Sequence, residues 1–216
     1  MSGSMMVDAQ STAQGRAVVA AWRGVPRARL RPLWHWMKHL PDRALHGGRR
    51  RAALRALQRR APFDSVVFVC QGNIYRSPYA AALLLARLSP SMGQRLRVAS
   101  AGFVGPGRPS PDDAQALAAE RSLDLSTHRS QLLSAPLLAG RALCIVMDPV
   151  QLARVRATSG FAGQLVLNLG DLDPEPITAR AVPDPWKGEP AVLRASYARI
   201  DRCVAVLLEA LGDTFS

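Results

Sequence analysis

The sequence predicts an α/β fold, a three-layer sandwich in which helices flank a four-stranded parallel sheet. Four short apolar runs with the character of buried strands are separated by segments with helical patterns. Such an alternation of strands and helices gives parallel strands joined by right-handed crossovers. Ligands bind these sheets beyond the carboxyl ends of the strands. The residues that follow the first strand are therefore the first place to search for a functional site.

The individual elements follow from their residue patterns in chain order. The apolar runs are bounded by turn residues and predict strands at 66–70, 96–100, 142–147 and 164–169. Segments with proline at their start or apolar residues at helical spacing predict helices at 78–88, 111–121, 149–157 and 191–211.

The charge of the chain is unevenly distributed. Its 216 residues contain 28 Lys and Arg against 16 Asp and Glu, a net charge of +12. Residues 1–60 hold 13 of the basic and two of the acidic side chains, so they carry +11 and residues 61–216 carry +1. The sequence therefore predicts two parts, a partly disordered basic extension (residues 1–60) and a nearly neutral folded domain (residues 61–216).

Composition excludes several classes of protein. No stretch approaches the ~20 uninterrupted apolar residues of a membrane-spanning helix, and the N-terminus lacks the apolar core of a secretory signal. Three scattered cysteines, Cys70, Cys144 and Cys203, are too few for a disulfide scaffold or a zinc site. We therefore expect a cytoplasmic protein with reduced thiols, no metal and no other cofactor.

The segment after the first predicted strand has the composition of an anion-binding loop. It reads CQGNIYRSP at residues 70–78 and leads into a predicted helix. Backbone N–H groups of such a loop converge on an anion at the helix N-terminus, and Gly72 allows close approach. Arg76 can bind two oxygens of a tetrahedral oxyanion. These groups favour the thiolate form of Cys70, which would face a bound phosphate as a nucleophile.

This loop resembles the signature Cys-x-Gly-Asn-x-x-Arg-Ser-Pro of the low-molecular-weight protein tyrosine phosphatase family. The resemblance extends over roughly residues 64–212 and includes SAG at 100–102, THRSQLL at 127–133, IVMD at 145–148 and PDPW at 183–186. It implies metal-independent hydrolysis of phosphotyrosine, an aryl phosphate monoester, through a phosphocysteine intermediate.

The resemblance also implies roles for individual residues. Cys70 is the nucleophile, Arg76 binds the transferred phosphate, and Asp184 is the acid that protonates the leaving oxygen. The phosphate-binding loop comprises Gln71, Gly72, Asn73, Ile74, Tyr75 and Arg76. The supporting side chains are Asn73, Ser77, Ser100 and His128, and the walls beside the substrate ring are Trp186 and Phe103.

Three positions bear on redox protection and substrate choice. Tyr75 stands where the family often has a second loop cysteine, so a protective disulfide with Cys70 by that route is absent. Ile74 takes the place of a small polar residue and fits an aryl phosphate better than phosphoarginine. Trp186 is followed by Lys187, where a second aromatic residue is usual.

Two functions of other classes compete with hydrolysis. An arsenate reductase uses a similar anion nest but needs a relay of further cysteines, and Cys144 and Cys203 are predicted inside a strand and a helix. A non-catalytic phosphate-binding module is the other alternative. The joint presence of Cys70, Arg76 and Asp184 argues against it.

The basic extension has several competing interpretations. Residues 1–20 are expected to be disordered, residues 28–40 hold two tryptophans among basic residues, and residues 49–60 predict a short basic helix. The extension would contact an anionic membrane surface, contact nucleic acid or an acidic partner, serve as an organellar transit peptide, or dock a helix on the folded domain.

Partner and location follow from the family resemblance alone. The expected substrate is a phosphotyrosine protein such as a bacterial tyrosine autokinase of polysaccharide export. The expected location is cytoplasmic, and peripheral to the membrane through the basic extension.

Overall fold

The computed structural model describes residues 39–161 and 163–212, so the expectations for residues 1–38 lie outside the described residues. The helices and strands are, in chain order, α1 (Leu40–Arg60), β1 (Ser65–Cys70), α2 (Arg76–Arg87), α3 (Pro90–Gly93), β2 (Arg97–Gly102), α4 (Asp112–Ala119), β3 (Ala142–Val146), α5 (Pro149–Ala157), β4 (Leu165–Asn168) and α6 (Pro190–Gly212). Short 3-10 turns occupy Ala135–Leu138, Ser159–Phe161 and Leu169–Leu172.

The four strands form one parallel sheet in the order β2-β1-β3-β4. Val67 in β1 lies opposite Ala99 in β2 and Cys144 in β3. Every residue of β1 and β3 is buried, as expected for parallel strands covered on both faces. The predicted α/β class with a four-stranded parallel sheet is confirmed.

Helices cover both faces of the sheet and give the three layers. On one face, alternate strand residues such as Phe68 and Ile145 pack with apolar residues of α1, α2, α4 and α6. On the other face, residues such as Val69 and Cys144 pack with Leu152 of α5 and with the 3-10 turn Ala135–Leu138. The alternation follows from the strand period of two residues. The strand order places β1 between β2 and β3, so its carboxyl end lies in the interior of the sheet.

The eight predicted strands and helices are all present, with ends within two residues of the predicted ones. The predicted helix at 49–60 is also present, but it begins at Leu40 and is therefore nine residues longer. Gly47 and Gly48 interrupt the helical pattern there and lower the local helix propensity. The additional turns are held by tertiary contacts, which a reading of local pattern does not reveal.

Helix α1 packs with the sheet although it carries much of the charge of the extension. One compact unit begins at Asp42 and continues through the sheet. Leu57 is fully buried in the core, and the buried His46 lies 2.9 Å through its Nε2 from the carbonyl oxygen of Asp173. The backbone N–H of Arg180 donates to Asp42 (3.1 Å). For α1, these contacts favour the docked helix among the interpretations of the extension.

The burial of α1 predicts a large loss of stability in Leu57→Ala. The change removes a fully buried side chain and is expected to lower the free energy of unfolding by about 2–5 kcal/mol. Leu45, which is 54% exposed on the same helix, is the matched control, and Leu45→Ala should change it by less than about 0.5 kcal/mol. Urea denaturation of the full chain measures both. Equal effects would show that α1 does not contribute to the core.

Candidate active site

The loop between β1 and α2 brings a thiol, a hydroxyl and a guanidinium together. The central strand β1 ends at Cys70, which is 3% exposed, and α2 begins at Arg76 immediately after loop residues 71–75. Cys70 Sγ lies 3.0 Å from Ser77 Oγ in the first turn of α2. It also accepts the backbone N–H of Asn73 at 3.2 Å. Two hydrogen-bonding groups, the Ser77 hydroxyl and the Asn73 N–H, therefore lie next to the sulfur.

Asn73 holds the loop through its backbone conformation and its side chain. Its φ of +52° lies in the left-handed region, which asparagine tolerates better than most residues. Its Nδ2 donates to Ser77 Oγ and to Ser100 Oγ, both at 2.9 Å. Its Oδ1 accepts the backbone N–H of Gln131 at 2.9 Å. The amide thus joins the loop, α2, β2 and the segment after α4.

His128 contacts the same loop from the segment after α4. Its Nε2 lies 2.7 Å from the carbonyl oxygen of Asn73. Burial lowers the pKa of His128 below its ordinary value of 6.5, so the ring is neutral at pH 7 and its Nε2–H donates to that oxygen. Asn73, Ser77, Ser100 and His128, the four supporting residues predicted, therefore lie together around the loop.

Loss of the Asn73 side chain is expected to loosen the loop. Asn73→Ala leaves a left-handed backbone without a side chain that favours it and removes two buried hydrogen bonds and one partly buried one. The free energy of unfolding should therefore fall by about 2–4 kcal/mol. Asn73→Gly relieves the backbone cost and loses the same bonds. Both variants should bind inorganic phosphate about tenfold more weakly by calorimetry, because the N–H groups are no longer preoriented. Unchanged affinity in both variants would exclude this role.

Arg76 and Asp184 face each other across the mouth of the loop. The Arg76 side chain is almost fully buried, while that of Asp184 is 51% exposed. Arg76 Nη2 lies 2.6 Å from Asp184 Oδ2, and Nη1 donates to the carbonyl oxygen of Val182 at 3.2 Å. The backbone N–H of Trp186 donates to Asp184 Oδ1 at 3.2 Å. The predicted nucleophile, phosphate-binding arginine and acid therefore converge on one place.

A buried ion pair holds the segment that carries Asp184. Asp173, which is 1% exposed, accepts hydrogen bonds from Arg199 Nε (2.9 Å) and Arg202 Nε (3.1 Å) of α6. Arg199 Nη1 also donates to the carbonyl oxygens of Ala179 and Ala181. The sequence did not indicate these residues, because Asp173 and Arg199 are 26 positions apart and belong to no common motif.

Apolar and aromatic side chains form the pocket beside the loop. Its volume is about 200 Å³, and Ile74, Tyr75, Val104 and Trp186 contribute to its walls. The Tyr75 hydroxyl donates to Asp113 at 3.1 Å. Burial and that carboxylate raise the pKa of Tyr75 to about 12, so the phenol stays neutral. The walls suit a flat, uncharged ring next to a phosphate group.

Phe103 does not belong to this pocket, contrary to its predicted place in the wall. Its ring packs on the face of the sheet that α5 covers, and the guanidinium carbon of Arg154 lies 4.2 Å from the centre of the ring. Val104, the next residue, takes the place in the wall. Arg108, which the sequence reasoning missed, also lines the pocket and donates through Nη2 to the carbonyl oxygen of Gly72 at 2.9 Å.

The other two cysteines lie in the core. Cys144 is in β3 and Cys203 is in α6, as predicted, and both are fully buried. Burial raises the pKa of each thiol to about 12, so both stay protonated at neutral pH. In the part of the chain that the structure describes, no group of three His, Cys, Asp or Glu side chains is placed to hold a metal ion.

Comparisons with known proteins agree on one family. Residues 65–215 match the family model described as low molecular weight phosphotyrosine protein phosphatase. The low molecular weight protein-tyrosine-phosphatase Ptp of Acinetobacter johnsonii is 32% identical over 144 residues, which is 66% of this chain and 94% of that protein.

Solved structures share the fold at 25% identity. The tyrosine phosphatase AmsI of Erwinia amylovora superposes with a TM-score of 0.60 over 70% of this chain and 95% of its own. The arginine phosphatase YwlE of Geobacillus stearothermophilus superposes with a TM-score of 0.61 over 70% of this chain and 94% of its own.

Proposed function

The chain belongs to the low-molecular-weight phosphotyrosine protein phosphatase family, and on that premise we propose that Cys70, Arg76 and Asp184 carry out the hydrolysis of phosphotyrosine. The observation that carries the proposal is the convergence of these three side chains on one pocket. Cys70 Sγ lies below the loop, and Arg76 and Asp184 are paired at its mouth.

In the first step the Cys70 thiolate attacks phosphorus. An S–P bond forms, the bond from phosphorus to the phenolic oxygen breaks, and Asp184 gives its proton to that oxygen. Arg76 and the loop N–H groups bind the three equatorial oxygens, whose charge is spread in the transition state. The product leaves as tyrosine with a neutral phenol, and the enzyme holds a phosphocysteine.

In the second step water releases the phosphate. Asp184, now a carboxylate, takes a proton from the water as its oxygen attacks phosphorus, and the S–P bond breaks. The sulfur leaves as a thiolate, to which the Ser77 hydroxyl (3.0 Å) and the Asn73 N–H (3.2 Å) donate. Asp184 ends the cycle protonated, so acid and thiolate are both restored.

The pocket walls favour an aryl ester over phosphoarginine. Ile74, Tyr75 and Trp186 present apolar or aromatic surface beside the loop, and a guanidinium leaving group would be placed against it without an acidic partner other than Asp184. We therefore expect the full chain, in EDTA, to hydrolyse a phosphotyrosine peptide at least tenfold faster than a phosphoarginine peptide, because a polar leaving group left unpaired against apolar walls costs about 1–3 kcal/mol. Faster release of phosphate from phosphoarginine would overturn this choice of substrate.

The burial of Cys144 and Cys203 disfavours the arsenate alternative. A relay needs thiolates that reach the nucleophile, whereas both thiols are buried in the core with a pKa of about 12. Arsenate reduction by the full chain with a thiol reductant is therefore expected to be absent.

For the physiological substrate we extend the proposal to a phosphotyrosine protein such as a bacterial tyrosine autokinase of polysaccharide export. A phosphorylated autokinase should lose its phosphotyrosine on incubation with the enzyme, and the same autokinase should co-purify with Cys70→Ser. A kinase that stays phosphorylated while a phosphotyrosine peptide is hydrolysed would exclude it as the substrate and leave the activity intact.

We further propose a cytoplasmic location at an anionic surface, and the charged face of α1 supports the contact with that surface. Arg51 and Arg55 are exposed one turn apart on this helix, and each basic residue near an anionic membrane contributes about 1 kcal/mol. Among the described helices, none has the length and apolar character needed to cross a membrane. Co-sedimentation with phosphatidylglycerol vesicles should exceed that with phosphatidylcholine vesicles and fall in Arg51→Gln/Arg55→Gln. Stronger retention on nucleic acid than on the anionic vesicles would contradict this location.

A further inference from the structure

A second cavity opens at the end of the sheet away from Cys70. Its volume is about 460 Å³, within the usual range for small-molecule sites. It is bounded by the carboxyl end of α1 and by the residues at the starts of β3 and β4, among them Arg60, Arg141 and Gln164. The catalytic loop follows the carboxyl end of β1, whereas this cavity lies at the amino ends of β3 and β4. The two cavities are therefore at opposite ends of the parallel strands.

Three arginines line this cavity, Arg59, Arg60 and Arg141. Within the described residues, none of them forms an ion pair with a carboxylate. Asp64 is close by, but its carboxylate accepts the backbone N–H of Arg141 at 2.9 Å. Like charges around one concavity repel one another, and an anion bound among them removes that repulsion.

Main-chain oxygens orient two of these arginines. Arg60 Nη2 donates to the carbonyl oxygen of Gly163 at 2.7 Å, and Arg141 Nη2 donates to the carbonyl oxygens of Arg60 (3.2 Å) and Ala61 (2.9 Å). In the described part of the chain, Nε and Nη1 of both side chains have no other partner. The guanidinium planes are held in place while donors remain for a ligand, and such preorientation lowers the entropy lost on binding.

We propose that this cavity, the arginine cavity (Arg59, Arg60, Phe63, Arg141, Gly163 and Gln164), binds a small anion that carries two or more phosphate groups. Three lining arginines match more than one tetrahedral oxyanion, because a guanidinium can bind a phosphate through paired N–H groups. Phe63, which is 4% exposed, adds an apolar floor. The site is independent of the proposed reaction, since none of its residues lines the catalytic pocket.

Calorimetry with inorganic pyrophosphate tests the proposal on the full chain. Saturating benzylphosphonate is present throughout to occupy the catalytic pocket, so the remaining heat reports on the second site. Arg60→Gln/Arg141→Gln should weaken pyrophosphate binding at least about tenfold, because two charged hydrogen-bonding groups are lost. Arg87→Gln/Arg95→Gln, which removes the same charge from exposed positions elsewhere, should leave binding within about twofold. Hydrolysis of phosphotyrosine should be unchanged in both variants.

Two further comparisons test whether the phosphate groups belong to a soluble ligand or to a lipid, and whether binding depends on the arginine cavity or on net charge. Binding of free pyrophosphate with orthophosphate at least tenfold weaker supports a soluble polyphosphorylated ligand. Absence of pyrophosphate binding, together with retention on phosphatidylglycerol vesicles that falls in Arg60→Gln/Arg141→Gln, would overturn the proposal in favour of a lipid headgroup bound in the cavity. Equal loss of pyrophosphate binding in the two double variants would also overturn it, since the binding would then follow net charge and not the arginine cavity.

Discussion

Cys70→Ser is expected to lower kcat for phosphotyrosine on the order of 10⁵-fold, the scale of losing a covalent nucleophile. Serine is close to cysteine in size, but its hydroxyl stays protonated at neutral pH and is a poor nucleophile without an adjacent base. In the site, the neighbours of this atom are the Ser77 hydroxyl and the Asn73 N–H, neither of which takes a proton. Single-turnover kinetics on an aryl phosphate measures the loss.

The chain offers a matched control for this substitution. Cys203→Ala also removes a buried thiol, and it is expected to lower the free energy of unfolding by about 1 kcal/mol without changing kcat. Inorganic phosphate should bind Cys70→Ser with nearly the affinity of the native enzyme, because Arg76 and the loop N–H groups remain. Turnover in Cys70→Ser above a hundredth of the native rate would contradict the assignment of the nucleophile.

Asp184→Asn is expected to lower kcat by about 10²–10⁴-fold on alkyl-substituted phenyl phosphates, the usual contribution of a general acid. With nitrophenyl phosphate, the rate of the first step should fall far less, since nitrophenolate is a good leaving group that departs without a proton. Asp184 is half-exposed and its ion pair with Arg76 is at the mouth of the pocket, so the fold should be retained. A series of substituted phenyl phosphates gives the dependence of the rate on the pKa of the leaving group.

Glu189→Gln is the control for the loss of one carboxylate from this loop. Glu189 is exposed five residues after Asp184, and its loss should leave every rate in the series within about twofold, as for surface substitutions away from a site. The acid role predicts a steep dependence on the leaving group in Asp184→Asn. An equal loss for all leaving groups would instead mean that Asp184 acts only through its ion pair with Arg76.

The strands and the catalytic loop could be predicted because their determinants are contiguous. Five apolar residues at 66–70 require burial on both faces, and residues 70–78 contain the thiol, the glycine, the arginine and the helix start of one site. The role of Asn73 in the loop is also a local property, because asparagine tolerates the left-handed backbone that this position adopts, with a φ of +52°. The placement of Asp184 needed the family resemblance, because an Asp-Pro turn alone does not show what it faces.

Contacts between distant segments could not be predicted. Phe103 follows Ala101 on the face of β2 that packs with α5, whereas Val104 faces the pocket. The strand was predicted to end at residue 100, and its extension to Gly102 fixes this alternation. Likewise, α1 begins at Leu40 because Asp42 and His46 bond to residues more than a hundred positions away. Neither the place of the Phe103 ring nor the start of α1 is indicated by a pattern in the neighbouring sequence.

The covalent phosphocysteine is the central claim, and the most direct test traps it. With nitrophenyl phosphate, Asp184→Asn should complete the first step and stall in the second, because the base for water is missing. Rapid quench in alkaline denaturant, in which the S–P bond survives, followed by mass spectrometry of the peptide that contains Cys70 should then show the mass of one phosphoryl group on that cysteine, with a burst of one nitrophenolate per enzyme. A phosphoryl group on another residue, or steady turnover with neither burst nor adduct, would contradict the mechanism.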